Sequence, residues 1–88
     1  MSIAFADIIS VMIAPSQCRM ARAALQWSLK DLADRSKVNH VTINRFEIGQ
    51  AASNPSTLAA LRTALEAAGV EFIEQNGGGP GVRLKAHG

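Results

Sequence analysis

Residues 28–49, SLKDLADRSKVNHVTINRFEIG, contain two helix starts, with only three residues between one helix and the next. Ser28 stands three residues ahead of Asp31. Its hydroxyl can accept the Asp31 backbone N–H, and that carboxylate suits the positive end of the helix dipole. A helix over 29–35 follows, burying Leu32 and Ala33. Ser36, Lys37 and Val38 form a break, Asn39 caps a helix over 40–47, and Gly49 stops it. Helices this short gain little on their own and depend on being packed together. The spacing supplies what a close crossing needs. Ala33 is the small residue at the crossing, Val38 is the apolar residue after the turn, and Ile43 with Phe46 pins the second helix to a core.

The flanks extend the same pattern. Ser16 is the expected N-cap of a helix over 17–26 whose apolar face is Cys18, Ala21, Ala24 and Leu25. Asn54-Pro55 opens a further helix: a capping side chain, then a proline where no N–H is required. Leu58, Leu61, Leu65 and Ala68 repeat along it at helical spacing, and Gly69 supplies its C′ position. Beyond Gly69 the period falls from 3.6 to 2. VEFIEQ and GVRLK then read as strands around the turn-rich NGGGPG, an antiparallel hairpin. A two-stranded hairpin is marginal alone in water. Its apolar side must be covered either by its own helices or, the arrangement favoured here, by the hairpin of a second subunit.

Eighty-eight residues make one domain, and a chain this short buries only about 60–65% of its unfolded surface, so a partner subunit would help. Few aromatics and abundant alanine favour closely packed helices. The opening MSIAFADIISVMIAPS is apolar but has no positive n-region. It is interrupted by Asp7 and is shorter than the roughly 20 residues that span a bilayer. A short helix over 3–13 is expected there, and neither a leader nor a membrane span. The single Cys18 excludes an intramolecular disulfide and suits a buried structural thiol in a reducing cytoplasm. The layout is mainly α, four to five helices followed by a hairpin. It divides into an extension over 1–15, a helical domain over 16–69, and a hairpin and tail over 70–88 read as a dimerisation element.

Function is concentrated in the middle of the chain. From Gln17 to Gly49 six basic residues stand against three acidic ones, although the whole chain carries only +2. If Ile43 and Phe46 face inward, Val41, Asn44 and Arg45 share the opposite face, with Asn39 and His40 at its amino-terminal end and Thr42 at the flank. Asparagine can pair with adenine, arginine with guanine or phosphate, and valine can meet a thymine methyl. The chain has no nucleophile–base set and no paired carboxylates beside a histidine. His40 and His87 lie far apart without ligand partners, so neither an enzyme nor a metal or cofactor site is expected. NGGGPG is not followed by a helix carrying Lys-Ser/Thr and is not a phosphate loop.

Two short helices joined by a three-residue turn form a helix-turn-helix, and here the chain resembles the phage-repressor or Cro-type (xenobiotic-response-element) family over about residues 17–69. LADRSKVNHVTINRFEIG is similar to the family's Leu-Ala, Val, Thr-Ile and Glu-x-Gly pattern, and NPS to the start of its next helix. QCRMARAALQWS and EFIEQNGGGPGVRLK resemble the ends of a bacterial subgroup. The resemblance implies a lambda-repressor-like fold and a cytoplasmic transcriptional regulator that binds double-stranded DNA as a homodimer. Its contacts would come from Ser28, Lys30, Lys37, Asn39, His40, Val41, Thr42, Asn44 and Arg45. It also implies that Arg22 and Glu47 tie the first helix to the end of the recognition helix. An antitoxin-type regulator, which binds a toxin as well as DNA, falls within the same class. The alternative is a protein-interaction adaptor that keeps the fold without binding DNA. Two positions depart from the pattern. Lys37 stands where glycine is usual, so either the turn has a different shape or it accepts a left-handed residue at about 1–2 kcal/mol. Leu29 replaces a common glutamine, leaving Lys30 and the helix N–H groups to hold a phosphate. Residues 1–11 precede the resemblance, and a chain starting at Met12 is expected to bind DNA as the full chain does.

Overall fold

The computed structural model describes residues 12–74 and 78–85. Among these, four helices are followed by a two-stranded sheet: α1 Pro15–Leu25, α2 Leu29–Ser36, α3 His40–Glu47, α4 Pro55–Ala67, β1 Val70–Ile73 and β2 Gly81–Leu84. Most of the helix over 3–13 and the first two residues of the NGGGPG turn lie outside the described residues, while Met12 and Ile13 are not helical.

Capping chemistry sets most boundaries. Ser28 Oγ accepts from Asp31 N at 3.0 Å and Ser28 N–H donates to Asp31 Oδ2 at 2.9 Å, a reciprocal pair that starts α2. Asn39 Oδ1 accepts from Val41 N at 2.8 Å, and Asn54 Oδ1 accepts from Thr57 N at 2.8 Å, starting α3 and α4. Gly49 and Gly69 follow α3 and α4 with φ of +74° and +102°, left-handed values that suit a residue without Cβ.

Helix α1 departs from expectation. It begins at Pro15 rather than Gln17, and Ser16 does not cap it. Ala14 takes the N-cap position, and its backbone N–H donates to Gln17 Oε1 at 2.8 Å. Proline at the first position, where the N–H has no partner to lose, favours the earlier start. Ala24, expected on the apolar face, is exposed, because α1 turns Cys18 and Ala21 inward and Leu25 only partly.

The core runs through the four helices and β1: Cys18 and Ala21 from α1, Leu32 from α2, Ile43 and Phe46 from α3, Leu58, Leu61 and Leu65 from α4, and Val70 and Phe72 from β1, with Val82 of β2 packed against it. Ala33 and Val38 pack against it at the α2–α3 crossing, as their spacing requires. Ile13, ahead of α1, is also buried. The strands pair antiparallel with Val70 opposite Leu84 and Phe72 opposite Val82. The hairpin's Val70 and Phe72 are thus covered by the chain's own helices. Gln17 fixes it there, its buried amide donating to Ile73 O at 3.1 Å and Gly81 O at 3.0 Å. Among the described residues no helix is long and apolar enough to cross a membrane.

Candidate nucleic-acid interface

Helix α3 is anchored from behind at its last residue. Glu47 is only 2% exposed, and burying a carboxylate is costly unless it is paired and hydrogen-bonded. Here it is both. Arg22 of α1 grips it with two bonds, Nε to Oε2 at 2.8 Å and Nη2 to Oε1 at 2.7 Å. Arg22 Nη1 also donates to Trp27 O at 3.1 Å, so one guanidinium ties α1, its C-terminal turn and α3 together. The bond to Glu47 raises the Arg22 pKa above its ordinary value. Cys18 Sγ donates to Glu47 Oε2 at 3.1 Å. Burial, reinforced by that bond, pushes the Cys18 thiol far above its usual range and makes it a donor rather than a nucleophile. Arg19 donates to the Glu47 backbone carbonyl.

The pairing of Arg22 with Glu47 was implied by the family resemblance and the burial of Cys18 was expected, whereas the bonds that Cys18, Arg19 and Gln17 make were missed. Gln17 did carry a signal: glutamine at the third helical position is a capping-box residue. Nothing local marks Arg19, because its partner is a carbonyl 28 residues away.

With Ile43, Phe46 and Glu47 turned inward, the rest of α3 faces solvent. His40, Val41, Thr42, Asn44 and Arg45 are all exposed. Val41, at 44% exposure, is an apolar side chain held out in water with Asn44 and Arg45 three and four residues further on, on the same face. Asn39, also exposed, gives its carbonyl oxygen to the cap and keeps its amide N–H groups for another partner. Among the described residues no acidic side chain forms an ion pair with Lys30, Lys37 or Arg45.

Ser28 and Lys30 lie exposed at the start of α2, and Lys37 is exposed in the turn. Lys37 has φ 64° and ψ 21°, so the turn keeps the left-handed shape that usually takes glycine. Its N–H closes on Ala33 O at 2.8 Å, and its side chain is exposed. Gln26 does the same after α1, with φ 58°. Leu29 is half-buried and packs against the core, so it serves packing where a glutamine would have offered a polar contact. The Asp31 carboxylate, held below its usual pKa by the Ser28 backbone N–H, is the nearest acidic group in sequence to Lys30.

The nine sequence-derived residues thus occupy three consecutive exposed stretches: the start of α2, the turn and the outer face of α3. No group of three or more histidine, cysteine or carboxylate side chains able to hold a metal occurs among the described residues. A helix-turn-helix family model matches residues 19–71, which covers α1 from Arg19 through the start of β1. No curated protein matches the chain.

Proposed function

Because the chain belongs to the Cro/C1-type (xenobiotic-response-element) helix-turn-helix family, whose members are DNA-binding transcriptional regulators and not enzymes, we propose that it recognises a specific double-stranded site by seating α3 in the major groove. The observation that carries this reading is the outer face of α3, where Val41, Asn44 and Arg45 stand exposed with no acidic partner at Arg45 among the described residues. An asparagine, an arginine and an apolar side chain on one exposed helical face match the donors, acceptors and methyl groups of base edges. Ser28, Lys30, Lys37 and Thr42 flank this face and meet phosphates, which supply affinity and orientation rather than sequence choice. Asn39 and His40 stand at its amino-terminal end and contact base or backbone.

Selection from a random DNA pool tests the assignment. The native chain returns a defined motif, and Asn44→Ala with Arg45→Ala flattens it, each bidentate base contact being worth about 1–3 kcal/mol of discrimination. An unchanged motif from the double variant removes α3 from the reading role. Lys30→Ala weakens all sequences alike and lowers the salt-dependence slope by about one.

Two copies would place their reading helices in successive major grooves about 34 Å apart. The hairpin supports such a dimer. It is two strands only, so each strand keeps an outer edge, and Ile73 and Leu84 are 40% and 48% exposed on it. Deleting the hairpin would remove Val70 and Phe72 from the core and confuse dissociation with unfolding. Ile73→Lys with Leu84→Lys separates the two effects. Sedimentation then finds a folded monomer with weakened binding to a two-half-site DNA and unchanged binding to a half-site. A double variant that stays dimeric places the subunit interface elsewhere.

A further inference from the structure

A groove of about 730 Å³ opens on the side of α3 turned away from its exposed polar face. Its walls include Ile13, Phe46, Ala52, Leu58, Arg62 and Phe72, drawn from the entry to α1, from α3 and the loop after it, from α4 and from β1. The lining is mainly apolar. Its arginine is already engaged, with the Arg62 guanidinium 5.1 Å over the Phe72 ring and bonded to Glu66 at 3.2 Å.

The chain itself enters at this groove. Met12, the first described residue, is part of the lining and is 55% exposed, and Ile13 beside it is buried. The bond from Ala14 N–H to Gln17 Oε1 fixes the direction in which the backbone arrives. Immediately ahead lie Ile3, Phe5, Ile8, Ile9 and Val11, with Asp7 the only charged side chain among residues 1–11. We propose that this groove is the docking site for the chain's own residues 3–11, which close it with their apolar side chains and brace α3 from behind.

Two features favour this occupant. Groove and segment are both apolar, and each would otherwise leave a contiguous apolar surface in water. They are also joined without a linker, so the segment meets the groove at a far higher effective concentration than a separate peptide would. Length is no obstacle, since nine residues span about 13 Å as a helix and about 30 Å extended.

Ala52 is exposed and lines the groove, so a thiol placed there reports whether anything covers it. Ala52→Cys is made in the full chain, and its alkylation rate is compared with that of the same chain carrying Phe5→Ser and Ile9→Ser. Cys18 contributes no background while the fold holds, being buried. The thiol is expected to react about tenfold more slowly with the native segment, as for a docked state outweighing the open one by about ten to one. The native-segment rate is also compared with the rate in denaturant, read at position 52 by peptide mapping because unfolding exposes Cys18, and this needs no folded serine variant. Equal rates in that comparison overturn the proposal. Protection that appears only as protein concentration rises assigns the groove to a second copy's segment and overturns it equally.

Discussion

Glu47 and Arg45 lie two residues apart on α3, and their surroundings differ completely. On the inner face Glu47 is buried, and its carboxylate takes three bonds, from Arg22 Nε, Arg22 Nη2 and Cys18 Sγ. On the outer face Arg45 is exposed, and no acidic partner holds it among the described residues. The inner face spends its polar groups on fixing where the helix sits, and the outer face keeps them for something outside the chain. A short helix can read DNA only if its own position is already decided, because side-chain contacts made from a loosely held helix lose their geometry.

The strongest way to break this contrast is Arg22→Ala. It leaves the Glu47 carboxylate buried with only the Cys18 thiol beside it, and removing one partner of a buried pair typically costs about 3–5 kcal/mol. Arg22 is 21% exposed, so a loss near 3 kcal/mol is expected in urea unfolding followed by circular dichroism. Arg22→Lys recovers only part of it, since an ammonium cannot grip both oxygens in the same way. A loss below about 1 kcal/mol would mean that the inner face is held by apolar packing alone.

A smaller effect is expected at Lys37, which sits between the two faces in a left-handed conformation. Lys37→Gly relieves about 1–2 kcal/mol of backbone strain but gives back about 0.4–1 kcal/mol through the freer unfolded chain. The chain should therefore become modestly more stable while binding all DNA sequences less tightly. Opposite signs in the two measurements identify a strained residue retained for phosphate contact, and matching signs refute that role.

The smallest effect sharpens the contrast from the other side. Asn44→Ala with Arg45→Ala should change unfolding stability by no more than about 0.5 kcal/mol, as is usual for exposed positions, although the same pair governs sequence choice. A large loss of stability would show that the outer face also supports the fold.

The helix boundaries at Ser28, Asn39, Asn54 and Gly69 were legible in the sequence because caps and stops act through bonds that span only two or three residues. The inward positions of Leu32, Ile43, Phe46, Leu58, Leu61 and Leu65 followed from helical period, and with them the exposed face of α3. The start of α1 was misplaced because serine and proline both signal a helix start within two residues of each other, and the choice fell to Pro15 with Gln17. Whether Lys37 would adopt a left-handed turn could not be decided locally, since a lysine has no preference for it. Packing of Ala33 and Val38 at the crossing fixes the turn and imposes the conformation. The same holds for Gln17, whose amide meets the carbonyls of Ile73 and Gly81 more than fifty residues away, and for Arg19 and Cys18 at Glu47. Sequence determined which stretches are helical and which way they face, because those depend on neighbours along the chain. Tertiary structure decided how the helices and the hairpin are fastened to one another, because a buried polar group is satisfied by whatever partner folding brings within 3 Å.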